Sequence, residues 1–140
     1  MAGFADTDEG REACTLSLMA LAEAFGATES AVLNLMPLAM EGRVFLDGTG
    51  TKAVFVLAKP VILGNDEKLD KMELREPTAA DYRKYAKGLK GDADAADAMS
   101  MVIKAAEILA GERWTGVADR MTIRDTQALN EVCGALGFFG

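Results

Sequence analysis

The chain has 140 residues, which is long enough for one domain to bury a sizeable core without a disulfide or metal staple. Half of its residues are apolar and about a quarter are charged, a composition typical of globular proteins. The net charge of −7 argues against non-specific binding to nucleic acid, because phosphate contacts require clustered lysine and arginine.

The first predicted element is a helix from about Glu9 to Phe25. Its apolar residues recur at the spacing of a single helix face, and Gly26 is typical of a residue that ends a helix. That face consists of Cys14, Leu18, Leu21 and Phe25. We expect both cysteines of the chain, Cys14 and Cys133, to be small core residues.

A second helix is predicted from the cap Thr28 to about Met36, where Pro37 should end or kink it. The residues expected to point inward are Val32, Leu33 and Met36. The two helices form an N-terminal arm over residues 1–42. This arm either packs on the rest of the chain or reaches to a neighbouring copy.

The composition changes at Arg43, after which β-branched and aromatic residues become frequent. Asp47-Gly48 interrupts this run and indicates a hairpin. A further strand, from about Leu69 to Arg75, follows the turn at residues 64–67. We therefore expect a small antiparallel sheet of two or three strands, with Pro60 at the end of a strand rather than in its middle.

Two capping boxes of the form T-x-x-D predict helix starts in the second half of the chain. Thr78 and Asp81 form the first box, and Thr122 and Asp125 form the second. The second box opens a last helix from about Ile123 to Leu136. The inward residues of that helix are Leu129, Val132, Cys133 and Leu136.

Between the two boxes, the sequence predicts a helix from about Asp92 to Ala110. Three aspartates open it, which suits the positive end of a helix dipole. Its apolar stripe consists of Met99, Val102, Ala106 and Leu109. We expect Thr115 to cap a short turn from Gly116 to Arg120, and Trp114 to lie in the core.

These elements predict an α+β fold that is mostly α-helical, with a small antiparallel β-sheet in the middle of the chain. The arm at residues 1–42 precedes a unit at residues 43–140 that combines the hairpin with the later helices. The first fifteen residues do not form a signal peptide, and no apolar run has the length of a membrane span. We therefore expect a cytoplasmic protein.

No pattern indicates catalysis, a metal site or a cofactor. The chain contains no histidine, so a serine or cysteine nucleophile would lack its usual base, and the two cysteines are not spaced as a metal site. The segment Asp47-Gly48-Thr49-Gly50 lacks the Lys-Ser/Thr ending of a phosphate-binding loop. We therefore expect a protein that is not an enzyme and has no cofactor.

The candidate binding residues are surface groups that a partner protein would contact. Tyr82 and Tyr85 lie beside Arg83, and tyrosine and arginine are enriched at binding hot spots. The alternative is that the tyrosines face the core and the bases form a solvated outer face. Phe138 and Phe139 are further candidates, because chain ends are usually exposed.

The run FVLAKPVILGNDEKLDKMELREPTAADYRKY, residues 55–85, resembles the opening of a family of tail assembly chaperones found in long-tailed phages and prophages. In that family a strand, a proline-containing turn and a second strand lead through Leu-Arg-Glu-Pro-Thr into a helix. Here the motif is Leu74 to Thr78, with Asp81 at its expected place, and it adds Arg75 and Glu76 to the candidate binding residues. The resemblance covers about residues 53–140, and residues 1–50 have no counterpart because members are commonly shorter.

The resemblance implies a non-catalytic chaperone in the cytoplasm of the bacterial host. Such a protein binds the tape measure protein and keeps it soluble while the tail tube polymerises around it. The resemblance also implies a programmed ribosomal frameshift near the end of the gene, and the longer form that results would be a further partner. Phe138-Phe139 can be encoded by a run of T bases on which a ribosome slips.

Two other interpretations stay open at this point. The chain could be a structural subunit of a phage tail or connector, which would require self-assembling edges. It could also be a small enzyme or a regulatory binding domain. Whichever interpretation holds, an apolar arm followed by the glycine-rich turn at Gly48 to Gly50 favours a homo-oligomer formed by exchange of the arm.

Overall fold

A computed structural model describes residues 3–86 and 95–138 of the chain. The first three helices are α1 (Asp8–Phe25), α2 (Glu29–Leu33) and α3 (Met36–Met40). The strands are β1 (Val44–Leu46), β2 (Lys52–Ile62) and β3 (Lys68–Arg75). The remaining helices are α4 (Ala79–Ala86), α5 (Ala95–Leu109) and α6 (Ile123–Ala135), with 3-10 helices at Glu112–Trp114 and Ala118–Arg120. The predicted α+β class is confirmed.

Helix α1 forms where the apolar spacing predicts it. The Thr7 hydroxyl caps its first turn by accepting a hydrogen bond from the Gly10 amide at 3.0 Å. A side chain at Gly10 would collide with the Ala5 carbonyl oxygen, 1.9 Å from an ideal Cβ, so this approach requires glycine. Gly26 ends the helix with a φ of 64°, and the four predicted inward residues are buried.

The predicted second helix is wrong in its extent, because the chain forms two short helices there instead. A helix continuing through Pro37 would need an amide that proline lacks, and its ring would collide with the Leu33 carbonyl. Helix α2 therefore ends at Leu33, and Pro37 lies in the first turn of α3, where its missing amide costs nothing. Leu33 points outward as a result, while Val32 and Leu35 are buried.

The sheet has the order β1-β2-β3, and both pairs are antiparallel. The predicted hairpin is confirmed: Leu46 pairs with Ala53 across the turn that begins at Asp47. The Asp47 carboxylate holds this turn by accepting hydrogen bonds from the amides of Thr51 and Lys52, at 3.1 and 3.2 Å.

Pro60 lies within β2, whereas the sequence predicted it at the end of a strand. Strand β2 advances five positions from Val56 to Val61 while β3 advances only two, from Lys71 to Leu69, so the ladder is interrupted by a bulge. Proline is tolerated at this position because bulged residues do not need to donate to the neighbouring strand. Helix α6 packs against this strand.

Both capping boxes open helices as predicted. The Thr78 hydroxyl accepts from the Asp81 amide at 3.3 Å, and the Thr122 hydroxyl accepts from the Asp125 amide at 3.1 Å. Thr115 does not cap the start of the turn that follows it, in contrast to the prediction. Its amide donates to the Glu112 carbonyl at 3.1 Å, so it closes the first 3-10 helix instead of opening the second. The predicted aspartates Asp92 and Asp94 lie outside the described residues.

The core lies between one face of the sheet and the longer helices. Helix α1 packs against β1, α5 against β3, and α6 against β2. The Phe25 ring at the end of α1 meets the Phe138 ring after α6 edge-on, with centroids 5.5 Å apart. The largest fully buried apolar side chains are Leu18, Leu21, Val32, Leu35, Val44, Phe55, Met72, Leu74, Val102, Leu129 and Phe138. Helix α1 thus shares one core with the sheet and the later helices.

Candidate partner-binding surface

The segment Leu74 to Thr78 forms a corner between β3 and α4. Strand β3 ends at Arg75, Pro77 follows in extended chain, and α4 begins after Thr78. The Thr78 amide donates to the Asp81 carboxylate at 2.9 Å, while the Thr78 hydroxyl accepts from the Asp81 amide. This reciprocal pair of bonds fixes the direction in which the helix leaves the sheet.

An ion pair locks the corner from the strand side. The Arg75 guanidinium approaches both oxygens of the Asp81 carboxylate, with nitrogen–oxygen distances of 2.5 and 3.1 Å. The same arginine donates to the Ile108 carbonyl of α5 at 3.4 Å. Three elements, β3, α4 and α5, are therefore held together through one side chain.

The ion pair determines how Asp81 titrates. The hydrogen bond from Arg75 holds the pKa of the Asp81 carboxyl well below its usual range, and the Thr78 amide adds to this effect. The same contact raises the pKa of Arg75. Both groups remain charged near neutral pH, and Asp81 itself is buried. Its role is to position the corner.

The outer side of the corner carries the candidate binding residues. Glu76 and Arg83 are exposed, and Tyr82 is 40% exposed. The side chain of Arg75 remains 43% exposed although Asp81 binds its guanidinium. The structure thus brings Arg75, Glu76, Tyr82 and Arg83 to one corner. There an aromatic ring and charged groups lie beside the ion pair of Arg75 and Asp81.

Of the other predicted binding residues, two cannot be placed from the described part of the chain and one is buried. The side chain of Tyr85 and the whole of Phe139 lie outside the described residues. Phe138 is 2% exposed, so the expectation of an exposed terminal pair is wrong for this residue. The physical reason is that its ring completes the core against Phe25, which outweighs the usual exposure of chain ends.

A second buried carboxylate, Asp125, joins β2 to α6, and the sequence did not predict this role. We call Asp125 with its bonded partners the clamp. The Asp125 carboxylate is fully buried and accepts from the Arg43 guanidinium at 2.7 Å. It also accepts from the backbone amides of Ala58 and Lys59, at 2.9 and 3.0 Å. The capping box identified Asp125 as part of a helix start, but nothing in the local pattern points to Arg43, 82 positions away.

An open groove lies beside the clamp, between β2 and the start of α6. The groove has a volume of about 410 Å³ and is lined by Ala58, Lys59, Thr122 and Arg124. The Asp125 bonds to the bulged strand replace the ladder bonds that β2 loses there. These bonds hold the groove-lining part of β2 against the start of α6.

The described residues contain no evident chemical centre. No group of three or more His, Cys, Asp or Glu side chains within residues 3–86 and 95–138 is arranged to hold a metal ion. Cys14 and Cys133 are buried free thiols, and burial raises the pKa of Cys133 to about 12. Within the same residues, no helix combines the length and apolarity needed to cross a bilayer.

Comparison with known proteins gives one finding. Residues 54–137 match the family model described as phage tail assembly chaperone proteins, E, or 41 or 14. The match covers three-fifths of the chain, from β2 through the corner and the groove to the turn after α6. No curated protein and no solved structure gives a significant match. Helices α1 to α3 and strand β1 lie before the matched region.

Proposed function

The chain belongs to the phage tail assembly chaperone family, and we propose that it binds the tape measure protein and keeps it soluble while the tail tube is built. The observation that carries this proposal is the family match over residues 54–137. Binding and release of a client require no covalent chemistry, so we propose a non-catalytic protein without a cofactor. Its place of action would be the cytoplasm of the bacterial host.

The surface of the chain suits a long helical client with apolar stripes. The corner offers Tyr82 and Arg83 on a base held by Arg75 and Asp81. Half-buried methionines add flexible, polarizable side chains that adapt to different apolar surfaces. They are Met19, Met36, Met40 and Met101. The net charge of −7 would keep a crowded complex dispersed by mutual repulsion.

Co-expression with the tape measure protein of the same genome tests the proposal. We expect the tape measure protein to be insoluble alone and to become soluble and co-purify when the tagged chain is present. Tyr82→Ala with Arg83→Glu should reduce the amount recovered. Leu33→Ala with Lys104→Glu is the matched control, since it removes one exposed apolar side chain and reverses one exposed charge elsewhere.

The longer form that the frameshift would produce provides a second part of this test. It would share residues up to the slippage point near Phe138-Phe139 and carry an additional segment. The coding DNA should contain a slippery run of T bases there, and its absence would remove this part of the proposal. If neither form binds or solubilises the tape measure protein, the client proposal is wrong.

A further inference from the structure

Exposed aliphatic side chains are concentrated at two places on this molecule. Among the described residues, the three most exposed large aliphatic side chains are Leu16 at 65%, Ile62 at 52% and Ile123 at 66%. Leu16 lies on α1, whereas Ile62 ends β2 and Ile123 begins α6, the two elements that border the groove. Isolated exposed leucines are ordinary, so the charges around each place decide what it can bind.

The outer face of α1 is an acidic apolar stripe. Glu9, Glu12, Leu16 and Glu23 recur at helical spacing on the side opposite the buried face, and all are exposed. Ala13 and Ala20 lie between them and are also exposed. The stripe is about 21 Å long, given the rise of a helix. None of its three glutamates has an ion-pair partner within residues 3–86 and 95–138.

The groove has the opposite character. Its rim, which we call the basic rim, consists of Lys59, Ile62, Arg120, Ile123 and Arg124. The Arg120 guanidinium donates to the Ile62 carbonyl at 2.6 Å. This bond joins the end of the second 3-10 helix to the end of β2. Lys59 and Arg124 line the groove and have no carboxylate partner in the described part of the chain.

The acids near the rim do not cancel its charge. Asp125 faces the rim from below, but its carboxylate is fully buried and is bound by Arg43 and two strand amides. Asp119 is exposed next to Arg120 and is the remaining acid beside the rim in sequence. Three cations against one free carboxylate leave a local positive surface on a protein whose net charge is −7.

We propose that the acidic stripe of one copy docks in the basic rim of a second copy. Leu16 would lie between Ile62 and Ile123, with the stripe glutamates facing Lys59 and Arg124. The two surfaces carry opposite charges, and each has exposed aliphatic groups that would be removed from water on contact. Both are exposed in the same chain, so neither covers the other within one copy.

The proposed contact joins two different surfaces, so it is heterologous. Each copy would use its stripe on one neighbour and its rim on another, which generates a ring or an open filament instead of a symmetric dimer. This differs from the arm exchange expected from the sequence, because α1 stays on its own core and presents only its outer face. The stripe precedes the residues that match the family model.

A charge-exchange experiment on the full-length chain tests the contact without any client. The stripe variant is Glu12→Lys with Glu23→Lys, and the rim variant is Lys59→Glu with Arg124→Glu. Sedimentation velocity over a wide concentration range would report association of the wild type, which each variant should weaken by about tenfold or more. An equimolar mixture of the two variants should associate again, because the unaltered stripe of one variant meets the unaltered rim of the other, and the stripe lysines meet the rim glutamates.

Matched controls separate this contact from general charge effects. Glu112→Lys with Glu131→Lys changes the net charge as the stripe variant does, and Lys84→Glu with Lys104→Glu does so for the rim variant. All four control residues are exposed and belong to neither the stripe nor the rim. Circular dichroism would verify folding, and Lys59→Gln with Arg124→Gln replaces the rim variant if glutamates beside Asp125 disturb the fold.

Three results would overturn the proposal. The first is a wild type that remains monomeric at every concentration. The second is association of the stripe or rim variant as strong as that of the wild type. The third is equal weakening by the control variants together with no recovery in the mixture. Tape measure binding is measured separately, so failure here would leave the proposed function standing.

Discussion

At the scale of single residues, two aspartates each perform two tasks. Asp81 and Asp125 belong to capping boxes that start helices, and each also binds an arginine at the border of the sheet. Arg75 lies at the end of β3, and Arg43 immediately precedes β1. The same short pattern therefore begins a helix and fixes that helix to the sheet.

The clamp at Asp125 predicts a large loss of stability in Asp125→Asn. Three donors point at this carboxylate, from Arg43, Ala58 and Lys59, but asparagine offers only one oxygen. Its amide group would face at least one donor, and Arg43 would lose its buried counter-charge. We expect the free energy of unfolding to fall by about 3 kcal/mol in urea denaturation.

Asp119→Asn is the control for this substitution. It makes the same chemical change at an exposed position. It should alter the free energy of unfolding by less than about 0.5 kcal/mol. A loss for Asp125→Asn no larger than that of the control would show that the strand amides and Arg43 find other partners.

The pair of Arg75 and Asp81 predicts a pH dependence of stability. The pKa of Asp81 is lowered in the folded state, whereas an unfolded aspartate has a pKa of about 3.9. Its contribution is therefore complete above about pH 5 and is lost as the pH falls through the unfolded value toward the folded one. The stability difference between wild type and Asp81→Asn should accordingly shrink on acidification.

Urea denaturation of both proteins at a series of pH values from neutral to strongly acidic measures this difference directly. The comparison isolates Asp81 because the other carboxylates titrate in both proteins. Parallel stability profiles across the acid range would mean that the Arg75 contact does not favour the charged form in solution.

Residue-scale features were predictable only where they are local. The hydroxyl and carboxylate of each box lie three positions apart, so the helix starts at Thr78 and Thr122 follow from the sequence. The arginine partners do not follow in the same way. Arg75 lies six positions from Asp81, and Arg43 lies 82 positions from Asp125, so only the folded chain brings them together.

At the scale of elements, the accuracy of prediction followed element length and periodicity. Helices α1 and α6 were found within a residue at either end, because each repeats an apolar face over several turns. The errors fell at Pro37, at Pro60 and at the helix start assigned to Thr115. A proline is compatible with a helix start or a bulge as well as with an ending, and packing of the surrounding chain decides between them.

The contact between α1 and the end of the chain predicts the effect of Phe138→Ala. The Phe138 ring is buried against Phe25 and joins the first long helix to the turn after the last one. Its removal should lower the free energy of unfolding by about 3–5 kcal/mol, from lost burial and the cavity left behind. Chemical denaturation monitored by circular dichroism would measure the change.

Ile123→Ala is the matched control at the other extreme of exposure, since Ile123 is 66% exposed and loses apolar atoms from the surface. It should leave the free energy of unfolding nearly unchanged. A small effect of Phe138→Ala would indicate that the terminal ring is exposed in solution, which would return it to the candidate binding residues.

At the scale of the whole molecule, the boundary of the family match does not coincide with a boundary of packing. The match begins at residue 54, within β2, yet α1 contributes Leu18, Leu21 and Phe25 to the same core as the matched helices. The sequence left open whether the arm packs on the rest of the chain or reaches to a neighbouring copy. The structure makes its inner face part of the fold, while its outer face is free for the contact proposed above.

This arrangement predicts that residues 43–140 alone do not form the native fold. Removal of residues 1–42 exposes the sheet face and helix surfaces that α1 covers, including the ring of Phe138. The fragment should bind a hydrophobic dye, lose its near-ultraviolet circular dichroism and unfold without a sharp transition. Leu21→Ala in the full chain should lower the free energy of unfolding by about 2–5 kcal/mol, whereas Leu16→Ala, at an exposed position, should not.

A fragment that unfolds cooperatively and still solubilises the tape measure protein would show that the arm is an addition to a self-sufficient chaperone. A fragment that loses both properties would make α1 a structural element of the chaperone itself.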